Sequence, residues 1–390
     1  MLKKIVNIKE INKENKFQII VKTFFGLEDV LLQEMIDLGI ENPEKMNRAV
    51  MCIGNLETVY KLNYSLRTAL KVLIPIRTFT VKNDKQLYKN VYEIDWTKIF
   101  SVNQTFAIEN SVFSKYFKHS QYAALKTKDA IADQFRSKFD RRPSVELDNP
   151  DMRIDLHINN DLATLSLDAS GNSLHKRGYR MDINKAPLNE ALAAGLLKLT
   201  GWQDNENLYD PMCGSGTIII EAALMLKNIF PGSIIQKFGF ESWGNYDSSL
   251  LDKVKNNAGG KKEFKAKLFA SDIDPKAILI AKQNAKRAGV DDIIDFKVKD
   301  FAKTTKPEER CIIIANPPYG KRLQTDDIIN LYKTFGDTLK KNYSGCDAWI
   351  ISGNKDALKF VGLKPSQKYN LYNGPIESKF YKYSLYEGSR

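Results

Sequence analysis

The apolar positions of this chain follow two rhythms. In the first part, short alternating runs mix with amphipathic helices. Phe17-Gln18-Ile19-Ile20-Val21 alternates with a period of two and predicts a strand. Leu27, Val30, Leu31, Met35 and Leu38 fall on one helical face, and Gly39 is placed to cap that helix. Leu56 to Leu66 repeats the helical pattern, and Leu70 to Val81 is strand-like. Phe106-Ala107-Ile108 and Val112-Phe113 are strand candidates. Lys126 to Phe139 predicts a helix stopped by Arg141-Arg142-Pro143. Arg153 to Ile158 and Leu162 to Asp168 predict a hairpin turning at Asn159-Asn160-Asp161.

In the second part, apolar β-branched runs alternate with helices. Asn189 to Leu199 is helical and closes at Gly201-Trp202. A strand ends at Leu208-Tyr209-Asp210, and Ile218 to Lys227 is the next helix. Leu268-Phe269-Ala270-Ser271, Ile294 to Val298, Cys311 to Ala315 and Cys346 to Ile351 predict further strands, with a helix over Pro275 to Ala288. This alternation predicts a mainly parallel, doubly wound sheet. Residues 230–262, with Pro231-Gly232 and Gly259-Gly260, read as an insertion.

Chemistry gathers at the predicted strand ends, where open α/β sheets bind ligands. Pro211-Met212-Cys213-Gly214-Ser215-Gly216-Thr217 is a glycine-rich turn before a helix, whose free N–H groups suit a phosphate or a carboxylate. No Gly-Lys-Ser or Gly-Lys-Thr follows, so it is not a P-loop. Asp272 ends the next strand and is placed for ribose hydroxyls. It lies much further on than the about 20 residues of a dinucleotide fingerprint. Asp300 ends the third strand. Asn316-Pro317-Pro318-Tyr319-Gly320 ends the fourth, because two prolines cannot continue a sheet. The Asn316 amide oxygen and the Pro317 carbonyl are two fixed acceptors that can grip one planar amino group, and Tyr319 offers a stacking face.

Composition narrows the partners. The chain has 390 residues, 43% hydrophobic, and a net charge of +12, which favours a polyanion. Lys71, Arg77, Lys126, Lys128 and Arg136 are expected to form a phosphate-binding face. No apolar run is long enough to span a membrane, and no signal-peptide core is present. Cys52, Cys213, Cys311 and Cys346 show no metal-type spacing, so no metal is expected, and a reducing cytoplasm is the expected location.

Asp210-Pro211-Met212-Cys213-Gly214-Ser215-Gly216-Thr217 with Asn316-Pro317-Pro318-Tyr319-Gly320 resembles the class I S-adenosylmethionine (SAM)-dependent amino-methyltransferases. Gly26-Leu27-Glu28, Lys128-Asp129-Ala130-Ile131, Arg142-Pro143-Ser144-Val145 and Asp168-Ala169-Ser170-Gly171 narrow this resemblance. So do Ser173-Leu174-His175-Lys176-Arg177-Gly178-Tyr179-Arg180 and Ala186-Pro187-Leu188-Asn189-Glu190. Together they resemble the THUMP-domain RNA methyltransferases, and within them the bacterial 23S rRNA guanine-N2 methyltransferases. The resemblance implies an α/β chain with a Rossmann-like methyltransferase domain preceded by an α+β ferredoxin-like and THUMP region that grips RNA. The expected divisions are residues 1–65, 66–170 and 171–390. Some family members carry a second methyltransferase domain, and a chain ending at Arg390 is expected to lack it.

The resemblance further implies that Asp210, Cys213, Gly214, Ser215 and Gly216 hold the methionine end of SAM. Asp272 would take the ribose, Ile273 the adenine face, and Asp300 with Phe301 the adenine edge. Asn316, Pro317, Pro318 and Tyr319 would hold the target base. Lys176, Arg177, Arg180 and Arg322 join the expected RNA contacts. The expected partner is 23S rRNA or a ribosome assembly intermediate. Adenine-N6 methylation, glutamine methylation and a non-catalytic RNA-binding role are the alternatives.

Overall fold

Two seven-stranded sheets account for the strands of the computed structural model, which describes residues 8–180, 188–260, 262–308, 310–318 and 325–386. Each sheet anchors one unit, and neither unit is continuous in sequence. The first comprises residues up to Thr23, Leu31–Lys176 and Ile235–Ala258. The second comprises Phe24–Val30, Arg177–Ile234 and the chain from Gly259 on.

In the first unit the strands are β1 (Phe17–Lys22), β2 (Glu44–Met46), β3 (Ala49–Gly54), β4 (Lys71–Thr80), β5 (Phe106–Phe113), β6 (Met152–Asn159) and β7 (Leu162–Asp168). Their order is β2-β3-β1-β4-β7-β6-β5. All neighbours are antiparallel except β5 and β6, which run parallel over their full length. The two short strand predictions around Ile108 and Val112 are thus one strand. β4 pairs with β1 on one side and β7 on the other, so a single sheet runs through both predicted N-terminal regions. The β6–β7 hairpin turns at Asn160, whose φ of 53° is in the left-handed region that Asn tolerates.

Four helices belong to this part of the chain: α1 (Glu28–Asp37), α2 (Leu56–Ser65), α3 (Asp84–Tyr92) and α4 (Ser120–Phe139). Asn55 caps α2 by accepting the Thr58 N–H at 3.1 Å. α4 begins well before the predicted Lys126, because Tyr122 and Leu125 lie exposed and blur the apolar period of its first turns.

In the second unit, β8 (Asn207–Asp210), β9 (Leu268–Asp272), β10 (Ile294–Val298), β11 (Cys311–Ala315) and β12 (Asp347–Ser352) are parallel. β13 (Gln367–Asn373) and β14 (Ile376–Ser384) add an antiparallel hairpin, giving the order β10-β9-β8-β11-β12-β14-β13. α5 (Glu190–Thr200) precedes β8, and α6 (Thr217–Leu226) follows it. α7 (Ser248–Asn257) lies in the stretch that joins the first unit. α8 (Pro275–Arg287) and α9 (Thr325–Asn342) follow β9 and β11. Asn189 caps α5, accepting the Ala191 N–H at 2.9 Å.

The two short segments are built into their units by close packing. Leu27 is fully buried in the core of the second unit. A Cβ added to Gly195 of α5 would lie 2.4 Å from a Leu27 methyl, so the missing side chain makes the notch that Leu27 fills. Gly26 has φ of 86°, and a Cβ there would meet the Asn370 carbonyl at 2.6 Å. In the first unit, Gly239 sits against Gly171, where a Cβ would come 2.6 Å from the Gly171 nitrogen. Phe240 stacks on Tyr60 at 4.2 Å. The predicted insertion is therefore partly core, and this explains why Gly26-Leu27 and Asp168-Ala169-Ser170-Gly171 have specific sequences.

Candidate active site

The order of the second sheet reverses beside β8, since β9 and β10 lie on one side and β11 on the other. This is the topological switch point, and a ligand crevice is expected beyond the carboxyl ends of β8 and β11. Asp210 ends β8 and is buried. Burial lifts its carboxyl well above the usual carboxylate range, the Met212 N–H draws it down, and the Asp272 charge raises it further. A bound ammonium group would relieve that cost.

The glycine-rich turn is braced from below. The Cys213 N–H donates to the Ser271 carbonyl at 2.9 Å, and the Gly216 N–H donates to the Cys213 carbonyl at 2.8 Å. The Gly214 N–H donates to Asp272 Oδ2 at 2.9 Å, and the Asp274 N–H to Oδ1 at 3.0 Å. Gly214 has φ of 54° with open space around the missing Cβ, so conformation alone demands glycine. Gly216 has φ of 83°, and a Cβ there would come 3.1 Å from the Ala281 Cβ, so the turn and the packing of α6 on α8 both favour glycine. The Ser215 carbonyl accepts from Asn284 at 2.9 Å, and its hydroxyl lies 3.4 Å from that of Thr217. No described side chain caps α6, which leaves its N-terminus open to an anion. Burial pushes the Cys213 thiol well up, which makes it a poor nucleophile.

Ile273, beside Asp272, is 68% exposed at the sheet's carboxyl edge and offers an open apolar side chain there. Asp300 accepts the Ala302 N–H at 3.0 Å, which fixes the loop after β10. Phe301 is buried and stacks on Phe335 at 4.4 Å, so it supports the loop and is not an open ligand face. The sequence reading missed the hydroxyls underneath. Tyr209 and Ser271 lie 2.6 Å apart and join β8 to β9, while Thr304 and Tyr343, also 2.6 Å apart, hold the Phe301 loop. The one signal was a serine inside an apolar strand.

Asn316 follows β11. Its Oδ1 is buried and has no hydrogen-bond partner among the described residues. Pro317 is buried and Pro318 exposed. Tyr319 and Arg322 lie outside the described residues. The structure thus sets Asp210, the turn, Asp272, Ile273, Asp300 and Asn316 at successive carboxyl ends of one sheet.

The basic residues divide. Lys71 is largely buried and pairs with Asp168 at 2.6 Å and with Glu109. Arg77 pairs with Glu93 at 2.7 Å and donates to the Asn90 carbonyl at 2.7 Å. Arg177 is fully buried 3.6 Å from Glu221, and Arg180 pairs with Glu190 at 2.8 Å while donating to the Leu188 carbonyl. Each of these four has an acidic partner within the fold, and Arg177 and Arg180 tie the start of the second unit to α6 and α5. Lys126, Lys128 and Arg136 lie on α4, where Arg136 pairs with Asp133 and Lys128 with Asp129, both at 2.9 Å. Lys176 is exposed.

Comparison with known proteins agrees with this architecture. Residues 177–382 match the family described as RMKL-like, methyltransferase domain. Residues 81–168 match the THUMP domain and residues 18–73 the RlmL ferredoxin-like domain. The chain is 38% identical over 366 residues to a Synechocystis protein named for RNA methyltransferase activity, covering 93% of this chain and 95% of that one. It is 40% identical over 373 residues to the ribosomal RNA large subunit methyltransferase K/L of Psychromonas ingrahamii, covering 94% of this chain. It spans about half the length of the K/L relatives it matches. A solved methylase from Clostridium difficile 630 shares 32% identity with a TM-score of 0.84, covering 96% of this chain and 100% of that one. A methyltransferase solved with S-adenosylhomocysteine shares 28% identity with a TM-score of 0.82, covering 96% and 99%. On its sequence, its two sheets and these matches, the chain belongs to the RMKL-like methyltransferase family, in the form that carries ferredoxin-like and THUMP domains ahead of the methyltransferase domain.

Proposed function

We propose that this chain methylates the exocyclic N2 amine of a guanine in 23S rRNA, in the cytoplasm, with SAM as donor. The observation that carries the reading is the buried Oδ1 of Asn316, which has no hydrogen-bond partner among the described residues, beside Pro317 at the switch point. A buried acceptor without a donor costs about 1–3 kcal/mol, a cost that a bound amino group removes. The donor set fits SAM. Asp210 and the open end of α6 suit its ammonium and carboxylate, Asp272 its ribose, Ile273 its adenine face and Asp300 its adenine edge. When bound, SAM supplies an electrophilic methyl group on a sulfonium.

The protein's part is positioning. Asn316 Oδ1 and the Pro317 carbonyl would accept the two amine hydrogens and turn the nitrogen lone pair out of the ring system. No strong general base is needed, because the amine becomes acidic only after methylation. Holding the amine in line removes much of the entropic barrier. A guanine in folded RNA must leave its stack to reach the crevice.

The rRNA reading is supported by the names of the K/L relatives. The same grip suits an adenine N6 amine, and a Listeria monocytogenes structure at 28% identity is named for N6-adenine DNA methylation. Incubation of the full chain with labelled SAM and unmodified 23S rRNA, followed by mass spectrometry of the nucleosides, separates the two. N2-methylguanosine is expected. N6-methyladenosine, or no label in RNA, overturns the guanine reading.

A further inference from the structure

Four buried hydroxyls lie near the carboxyl ends of β8 and β9, and no step of the proposed methyl transfer uses them. They belong to Tyr209, Ser271, Thr304 and Tyr343. Tyr209 and Ser271 are 2.6 Å apart, as are Thr304 and Tyr343. The Tyr209 ring stacks on Tyr343 at 6.2 Å. Burial raises the Tyr209 phenol, and the hydroxyls of Ser271, Thr304 and Tyr343 draw it back, so the four form one cluster.

Each end of the cluster holds a loop of the candidate site. At one end Ser271 donates to the Pro211 carbonyl at 3.4 Å, and its own carbonyl accepts the Cys213 N–H at 2.9 Å, which braces the glycine-rich turn. At the other end Thr304 donates to the Phe301 carbonyl at 2.7 Å and closes the single helical turn that Asp300 caps. Asn342, at the end of α9, donates to the Thr304 carbonyl at 2.7 Å. The Phe301 ring stacks on Phe335 at 4.4 Å and on Tyr343 at 5.4 Å. One proton pattern satisfies all four hydroxyls. Thr304 spends its proton on Phe301, so Tyr343 donates to Thr304; Ser271 spends its proton on Pro211, so Tyr209 donates to Ser271. Burial raises Tyr343 as well, so both phenols stay protonated and can donate.

We propose that Tyr209, Thr304 and Tyr343 are positioning residues for adenine recognition: their hydroxyls fix the Asp300 carboxylate relative to the glycine-rich turn, and so set the preference for a purine that carries a 6-amino group. The Ala302 N–H already occupies Asp300 Oδ1 at 3.0 Å, so the ligand's amino group has Oδ2 to bond. The three residues act through Asp300 and touch no part of the ligand. The proposal rests on the SAM reading above and adds to it the residues that make the site selective for the adenine end.

The test is calorimetry on the full chain with S-adenosylhomocysteine and with its 6-deamino analogue, in which purine replaces adenine. The parent should prefer the adenine ligand about tenfold or more, because the analogue leaves a charged acceptor without its donor. Tyr209→Phe, Thr304→Val and Tyr343→Phe each remove one hydroxyl and little volume. Each should weaken the adenine ligand about fivefold or more and leave the analogue within about twofold, so binding of the analogue also reports an intact fold. Thr304→Ser keeps the hydroxyl and should behave as the parent. In an Asp300→Ala background, Thr304→Val should change neither affinity further. Variants that keep the parent's preference overturn the proposal, as do equal losses for both ligands or losses that add to that of Asp300→Ala. A parent that binds both ligands equally overturns the adenine role of Asp300 and this proposal with it, and leaves the methyl-transfer reading to its own test on the nucleoside product. A parent that binds neither ligand overturns the SAM reading itself.

Discussion

Leu27 lies near the N-terminus but stabilises the sheet that carries the candidate active site. Leu27→Ala would remove a fully buried side chain from a notch whose walls cannot close. On one side Gly195 already lacks a Cβ, and on the other Gly26 is pressed against the Asn370 carbonyl. Leu→Ala core substitutions cost about 2–5 kcal/mol, rising with the cavity left, so the upper half of that range is expected. Gly195→Ala tests the other face of the notch. Alanine in a helix interior is favoured over glycine by about 1 kcal/mol, but its methyl would lie 2.4 Å from Leu27, and overpacking costs about 1–3 kcal/mol. The net single effect is a small loss. In the Leu27→Ala background the clash is gone and the new methyl enters the void. The double variant should therefore be more stable than Leu27→Ala alone, with a coupling above about 1 kcal/mol. Native-state hydrogen exchange at the Ile313 and Ile350 amides, in β11 and β12, gives the readout for the second unit, and urea denaturation gives the total. Additivity of the two substitutions, or unchanged exchange at Ile313 and Ile350 in Leu27→Ala, would refute the notch.

Four further outcomes follow from the site and the first sheet. Asp272→Ala should weaken SAM binding by roughly 1.5–3 kcal/mol in calorimetry and speed exchange of the Gly214 amide, which Asp272 holds; an unchanged Kd in a folded variant removes Asp272 from the site. Asn316→Ala should leave the SAM Kd nearly intact and slow single-turnover transfer by about a hundredfold, and transfer within about threefold of the parent would disprove its role. Lys71→Met leaves the buried Asp168 without its cation and should cost about 3–5 kcal/mol in denaturation, while RNA affinity at a temperature where the variant is folded stays unchanged. Burial raises Glu190 to about 7. Its folded form therefore favours the proton, and its contribution to stability is full below the ordinary glutamate value and is lost as pH rises through about 7. Glu190→Gln should gain stability relative to the parent between pH 5 and 8, and a pH-independent difference would show that Glu190 does not titrate there.

The strand ends were legible because they are punctuated locally. Proline stops β11, glycines turn the chain after β8, and an acid follows β9, so sequence order alone placed Asp210, Asp272, Asp300 and Asn316 at one edge. What stayed hidden depends on partners far away in sequence. A run such as Lys176-Arg177-Gly178-Tyr179-Arg180 looks like a surface charge cluster, and only the approach of Glu221 and Glu190 shows that two of its cations are internal. Lys71 misled in the same way, since its partners Glu109 and Asp168 sit on other strands. α4 was cut short by Tyr122 and Leu125, apolar side chains that lie exposed and so break the helical period of its first turns.

The discontinuity of the two units decides how their roles can be separated. The sequence suggests a cut near residue 170, with RNA affinity before it and chemistry after it. Such a cut leaves Phe24–Val30 on one fragment and Ile235–Ala258 on the other, so each unit loses a piece of its own packing. The C-terminal fragment would carry the unfilled Gly195 notch, and the N-terminal fragment would lose the Phe240 ring that stacks on Tyr60. Poor methylation by the first, or weak RNA binding by the second, would then report lost packing as much as lost function. Substitutions within the whole chain avoid this. Asn316 follows the end of β11 and is not part of a hydrophobic core. Truncating Asn316 tests the proposed grip on the amine while both units keep every segment they need to fold.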